Sequence, residues 1–75
     1  MWQAIYLRRE ALEDAMLENQ ITIADLAKGA GITRHTVRNA LNGEAVSSRT
    51  IAGITAYFKS DFSTFFKLGA VQTAA

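Results

Sequence analysis

The chain has 75 residues, no cysteine, one histidine and a formal net charge of +1. That excludes a disulfide framework, a thiolate metal site and a structural zinc, and it bounds the molecule to one small domain with a modest core. No apolar run reaches the ~18 residues of a membrane span, and MWQAIYLRRE lacks the basic-then-apolar order of a secretory signal.

Taken in chain order, residues 3–20 read as a first helix with an apolar stripe of Ile5, Ala11, Leu12, Ala15 and Met16. Asn19-Gln20 breaks it, and Ile21 returns to the core. Residues 22–43, TIADLAKGAGITRHTVRNALNG, read as two short helices joined by a tight turn. The Thr22 hydroxyl can cap the first of these by accepting from an orphan backbone N–H. Ala24, Leu26, Ala27 and Ala30 give it a small apolar face. Gly31 stands where the bend requires a positive φ, which glycine adopts without a Cβ penalty. Ile32 plugs the turn into the core. Thr33 caps the next helix, which runs to about Leu41 and turns Val37, Ala40 and Leu41 to one side. Arg34, His35, Arg38 and Asn39 lie on the other, and Asn42-Gly43 ends it.

A short loop, Glu44–Ser47, leads to a further helix capped by Ser47 or Ser48. Ile51, Ile54, Phe58, Phe62 and Phe65 continue at helical spacing across a break near Ser60-Asp61, with Asp61 capping a short last helix. This stripe reads as core, with a ligand pocket as the weaker alternative. Trp2, Tyr6, Tyr57 and Phe66 do not all fit the stripes, which leaves two readings open on equal terms: an exposed apolar patch that meets a partner such as a second copy, or plain partial burial. Leu68–Ala75 reads as a frayed tail, leaving a domain over residues 1–69 and a flexible 70–75. No segment alternates with period two. The expected fold is all-α, a bundle of about five short helices.

Charge is unevenly spread. Residues 1–20 set Arg8 and Arg9 against Glu10, Glu13, Asp14 and Glu18, whereas residues 21–49 set Lys28, Arg34, Arg38 and Arg49 against Asp25 and Glu44. Lys59, Lys67 and Asp61 complete the chain. The excess of positive charge therefore accompanies the two central helices, an asymmetry that can orient a molecule on a polyanion. The residue types there suit that task. Arginine donates two hydrogen bonds to guanine O6 and N7, and asparagine pairs with adenine through one donor and one acceptor. His35 has no nucleophile or carboxylate partner at a catalytic spacing, so no enzymatic activity, metal or cofactor is expected.

Residues 22–43 resemble the helix-turn-helix of the lambda-repressor/Cro type, often called the XRE family. Its pattern is close to T-Q-x-x-L-A-x-x-x-G-I-S-x-x-T-I-x-x-x-x-x-G, and Thr22, Leu26, Ala27, Gly31, Ile32, Thr33, Thr36, Val37 and Gly43 match it. Residues 3–20 look like the family's first helix, and 46–66 like its fourth and fifth. The chain departs from the pattern in having Ile23 where the family often has a DNA-contacting Gln, no proline before the fourth helix, and Gly29 inside the second helix. That glycine should cost about 1 kcal/mol against alanine. The central motif is also similar to the LacI headpiece, but the preceding 20 or so residues of expected helix favour the lambda/Cro arrangement.

The resemblance implies a sequence-specific DNA-binding regulator, of the small phage or plasmid repressor kind, acting in the cytoplasm on double-stranded DNA. It carries the base-reading role onto Arg34, His35, Arg38 and Asn39, and auxiliary or phosphate contacts onto Thr22, Thr33, Thr36 and Asn42. One domain spans a half-site, so a homodimer on a palindrome is expected, with half-sites roughly 34 Å apart. With no second domain to bind an inducer, regulation is expected through concentration, another protein or proteolysis. The alternative is a protein-interaction module of the same fold, binding another regulatory protein or acting as an antitoxin, with little DNA affinity alone. No membrane association is expected.

Overall fold

The computed structural model describes residues 3–70. Five helices carry the fold in chain order: α1 (Arg9–Glu18), α2 (Ile23–Ala30), α3 (Arg34–Leu41), α4 (Ser48–Phe58) and α5 (Phe62–Phe65). Two short strands, β1 (Gln3–Leu7) and β2 (Phe66–Ala70), flank them and pair antiparallel. The molecule is thus mostly helical, as the periodicity predicts, with its two ends tied together by a ribbon that the periodicity does not predict.

This ribbon corrects both ends of the sequence reading. The expected helix over 3–20 begins only at Arg9, and the expected tail from Leu68 lies in β2 as far as Ala70. The remainder of that tail, 71–75, lies outside the described residues, as does Trp2. The register sets Leu7 against Phe66, Ile5 against Leu68 and Tyr6 against Lys67. Period-two alternation then follows: Leu7 and Phe66 are buried on the inner face, while Tyr6, Lys67 and Gly69 share the outer one. Arg8 locks the junction. Its N–H donates to the Phe65 carbonyl (2.6 Å), and its Nε–H donates to the carbonyls of Ser63 (3.1 Å) and Phe66 (3.3 Å).

The core is Leu7, Leu12, Leu26, Ala27, Val37, Ala40, Ile54, Phe65 and Phe66. Every element except α5's own start contributes to it, so the central helices are held by both the ribbon and α4. Two aromatic assignments reverse. Phe62, placed in the core stripe, is 39% exposed, whereas Phe66, left outside the stripes, is 1% exposed. The chain leaves α4 through Lys59 in a left-handed conformation (φ 52°), which resets the helical phase before α5. Phe62 instead stacks on Phe66 with ring centroids 5.7 Å apart, and Phe58 meets Phe65 at 4.9 Å. Tyr57 and Tyr6 are half-buried rather than free patches.

Two glycines let α2 and α4 approach closely. A Cβ on Gly53 would collide with the Ala30 carbonyl, and one on Gly29 would collide with the Tyr57 ring. Gly29 therefore answers a packing requirement that outweighs its poor helix propensity.

Candidate nucleic-acid interface

The central motif is built from caps. Thr22 precedes α2 in an extended conformation and forms a reciprocal capping box with Asp25: the Asp25 N–H donates to Thr22 Oγ1, and the Thr22 N–H donates to Asp25 Oδ2, both at 3.1 Å. The Thr22 backbone N–H first, and the Thr22 hydroxyl beside the carboxyl second, hold the Asp25 carboxyl below its ordinary value, with Lys28 adding attraction. Leu26 and Ala27 face the core, and Ile23 packs against it. Ala24 is exposed, so the apolar face of α2 is Ile23, Leu26, Ala27 and Ala30 rather than the set beginning at Ala24.

Gly31 ends α2 at φ 73°, and the Ile32 N–H closes back onto the Ala27 carbonyl at 2.9 Å. This six-to-one closure is a Schellman motif, which satisfies an orphan carbonyl and drives Ile32 inward. The bend expected at Gly31 is present. Thr33 then caps α3, its Oγ1 accepting from the Thr36 N–H at 3.1 Å and pairing with Thr36 Oγ1 at 2.9 Å.

α3 is fixed from one side by Val37 and Ala40, both buried. At about 100° per residue, the direction opposite these two runs through His35 and Asn42, with Arg38 and Asn39 on either side. Arg34 lies on the same flank as Leu41, and Thr36 on the other. Arg34, His35, Arg38 and Asn42 are exposed; Asn39 and Thr36 are half-buried. Thr36 and Asn39 border a small hollow closed by Glu44, Val46, Ser47 and Thr50.

The segment after α3 is tied at both ends. The Glu44 N–H donates to the Asn39 carbonyl (3.1 Å), next to Gly43 at φ 94°. The Val46 N–H donates to the Ile5 carbonyl of β1 (2.8 Å), so the ribbon anchors the loop that follows the helix. Ser47 caps α4, accepting from the Thr50 N–H at 3.3 Å. This arrangement places one carboxylate, Glu44, beside the exposed row, which the reading of α3 alone passes over. Its signal in the sequence is the Asn42-Gly43 stop, which folds the next residue back along the helix.

Among the described residues the ion pair is Arg9–Glu13 on α1 (3.3 Å). The side chains of Lys28, Arg34, Arg38 and Arg49 make no hydrogen bond or ion pair with any described residue. Cationic groups left open in this way are available to neutralise phosphates and release counterions. No group of three His, Cys, Asp or Glu side chains comes together as a metal site among the described residues. No described helix is long and apolar enough to cross a membrane.

Residues 11–69 match the family described as Cro/C1-type HTH DNA-binding domain. No curated protein and no solved structure matches the chain.

Proposed function

The chain belongs to the Cro/C1-type helix-turn-helix DNA-binding family, and on that premise we propose that it is a sequence-specific regulator that reads an operator by laying α3 in the major groove. The observation that carries the reading is the exposed row on α3, whose cations are engaged by nothing in the described molecule.

In this reading Arg38 and Arg34 donate to guanine O6 and N7, Asn39 pairs with adenine, and His35 contacts the base at the row's centre. Thr22, Thr33, Thr36 and Asn42 set the register through phosphates, helped by the backbone N–H groups at the starts of α2 and α3. The two threonine caps are held in place before DNA arrives, so a phosphate meets a preformed helix end. One copy covers a half-site. Two copies on a palindrome of roughly 34 Å spacing supply the remaining affinity. Occupying a promoter in the cytoplasm, in the manner of a small phage or plasmid repressor, is the simplest mode of action.

A second reading is favoured by Ile23. Its side chain packs against the core, so the first turn of α2 lacks the polar contact that the family often places there. A domain with fewer DNA contacts and a net charge of +1 suits a module that binds another regulatory protein. Mobility shift on selected duplexes at two salt concentrations separates the two. The DNA reader loses affinity steeply with salt and keeps its preference for one sequence. A module shows no shift at either salt and instead co-purifies with a protein partner.

A further inference from the structure

The exposed row on α3 has two unlike flanks. At about 100° per residue, Arg34 and Arg38 lie to one side of the line through His35 and Asn42, and Asn39 and Thr36 lie to the other. Glu44 belongs to this second flank, where it borders the same small hollow as Thr36 and Asn39. Its backbone is pinned. The Gly43 N–H donates to the Ala40 carbonyl (3.1 Å), the Glu44 N–H to the Asn39 carbonyl (3.1 Å), and the Val46 N–H to the Ile5 carbonyl (2.8 Å). Glu44 is exposed, and its carboxylate makes no hydrogen bond or ion pair with any described residue, Arg34 and Arg38 included.

We infer that Glu44 is a specificity-determining residue of the interface, accepting a hydrogen bond from the N4 amino group of a cytosine and so selecting cytosine at one position of the half-site. The inference rests on the DNA reading above and adds to it a reader that stands outside α3.

The chemistry of the two flanks is opposite. Arginine only donates, and an ionised carboxylate only accepts. In the major groove guanine shows the acceptors N7 and O6, cytosine shows the N4 donor, and thymine shows the O4 acceptor. A carboxylate set against guanine, thymine or a phosphate meets a second acceptor and loses its water without a replacement bond. Adenine offers an N6 donor, but its N7 acceptor stands beside it and repels the second carboxylate oxygen. Cytosine presents its amino group beside a C–H and is the base that suits the group. An unpaired acidic side chain beside a cationic row therefore works in both directions, favouring one base and penalising the others. Binding held by phosphates alone gains nothing from Glu44 and bears its repulsion. The ties to Asn39 and Ile5 hold the loop beside α3 before DNA arrives, so little ordering remains to be done on binding.

The test titrates the duplex selected by the full chain, its single-position substitutions and a random-sequence duplex. Glu44→Ala, Glu44→Gln and Glu18→Gln are compared with wild type; the last removes the same charge from α1. All three should keep a cooperative melt, since both positions are exposed. Glu44→Ala should weaken the selected duplex about tenfold or more, leave the random duplex unchanged or bound more tightly, and erase a cytosine preference at one position. Glu44→Gln should move that preference to adenine, which a carboxamide pairs through N6 and N7. Glu18→Gln should shift selected and random duplexes alike. The inference is overturned if Glu44→Ala also shifts both duplexes by one factor, leaves the position profile unchanged, or erases a preference for a base other than cytosine. Arg38→Ala on the same duplexes separates the two claims. If it weakens binding while Glu44→Ala does not, Glu44 is no reader and α3 keeps its role. A pool from which no duplex is enriched ends the DNA reading and this inference with it.

Discussion

The ring of Tyr57 occupies the space that a side chain on Gly29 would need. α4 thus presses on the C-terminal half of α2, two residues before the bend that aims α3. Gly53 does the same from the other helix, lying against the Ala30 carbonyl.

These contacts predict an inversion of helix propensity. Alanine is the better helix former by about 1 kcal/mol, yet Gly53→Ala should destabilise the domain by about 1–3 kcal/mol, because a backbone carbonyl cannot swing aside. Gly29→Ala should cost less, since the half-buried Tyr57 ring can move. Urea melts of the two variants check the order; a stabilised Gly53→Ala would refute the close contact.

Arg38 tests the reader. Arg38→Ala should weaken binding to the preferred duplex by about 1–3 kcal/mol and relax the preference at one base position. Folding should be unchanged, because Arg38 is exposed and makes no side-chain bond to a described residue. Titration against duplexes substituted at each position measures both effects. Unaltered affinity and preference would remove Arg38 from the site.

Much of the central motif is legible in the sequence because its signals are local. Thr22, Gly31, Thr33 and Ser47 each act on neighbours within a few residues, and each occupies the predicted place. The ribbon is not legible, for the opposite reason. Ile5 and Leu7 offer only two alternating positions, and the partner strand lies at the other end of the chain. Phe62 and Phe66 exchange roles because Lys59 turns left-handed, so a stripe extrapolated through it loses its phase. On α3, equal spacing does not mean equal exposure: Asn39 and Thr36 are half-buried beside the loop that returns to β1, a constraint set by Val46 and Ile5.

The ribbon makes the C-terminal segment structural. Ending the chain before Ser60 removes Phe65 and Phe66 from the core and strips β1 of its partner. Phe66→Ala alone should cost about 3–5 kcal/mol, a large share of the stability of so small a domain. Calorimetry should find no cooperative transition in the truncated chain; an intact one would assign these aromatics to an interface instead.

Asp25 predicts a pH response. Its carboxyl is held below the ordinary value of 3.8 in the folded chain, chiefly by the Thr22 backbone N–H. The folded state therefore binds that proton less readily than the unfolded one. The associated stability is fully present above the unfolded value and is lost as pH falls through the lower folded value. Asp25→Asn should flatten the decline in melting temperature at acid pH relative to wild type, and parallel curves for the two proteins would contradict the capping box.

The central claim is that the open face of α3 reads DNA. The most direct measurement selects the full chain's preferred duplex from random sequence, then titrates it at about 50 and about 200 mM salt with wild type, His35→Ala and Arg38→Ala. The account predicts one enriched sequence, a steep loss of wild-type affinity with salt, and a weakened preference in both variants. An unenriched pool, or variants that bind the selected duplex as the wild type does, would contradict it.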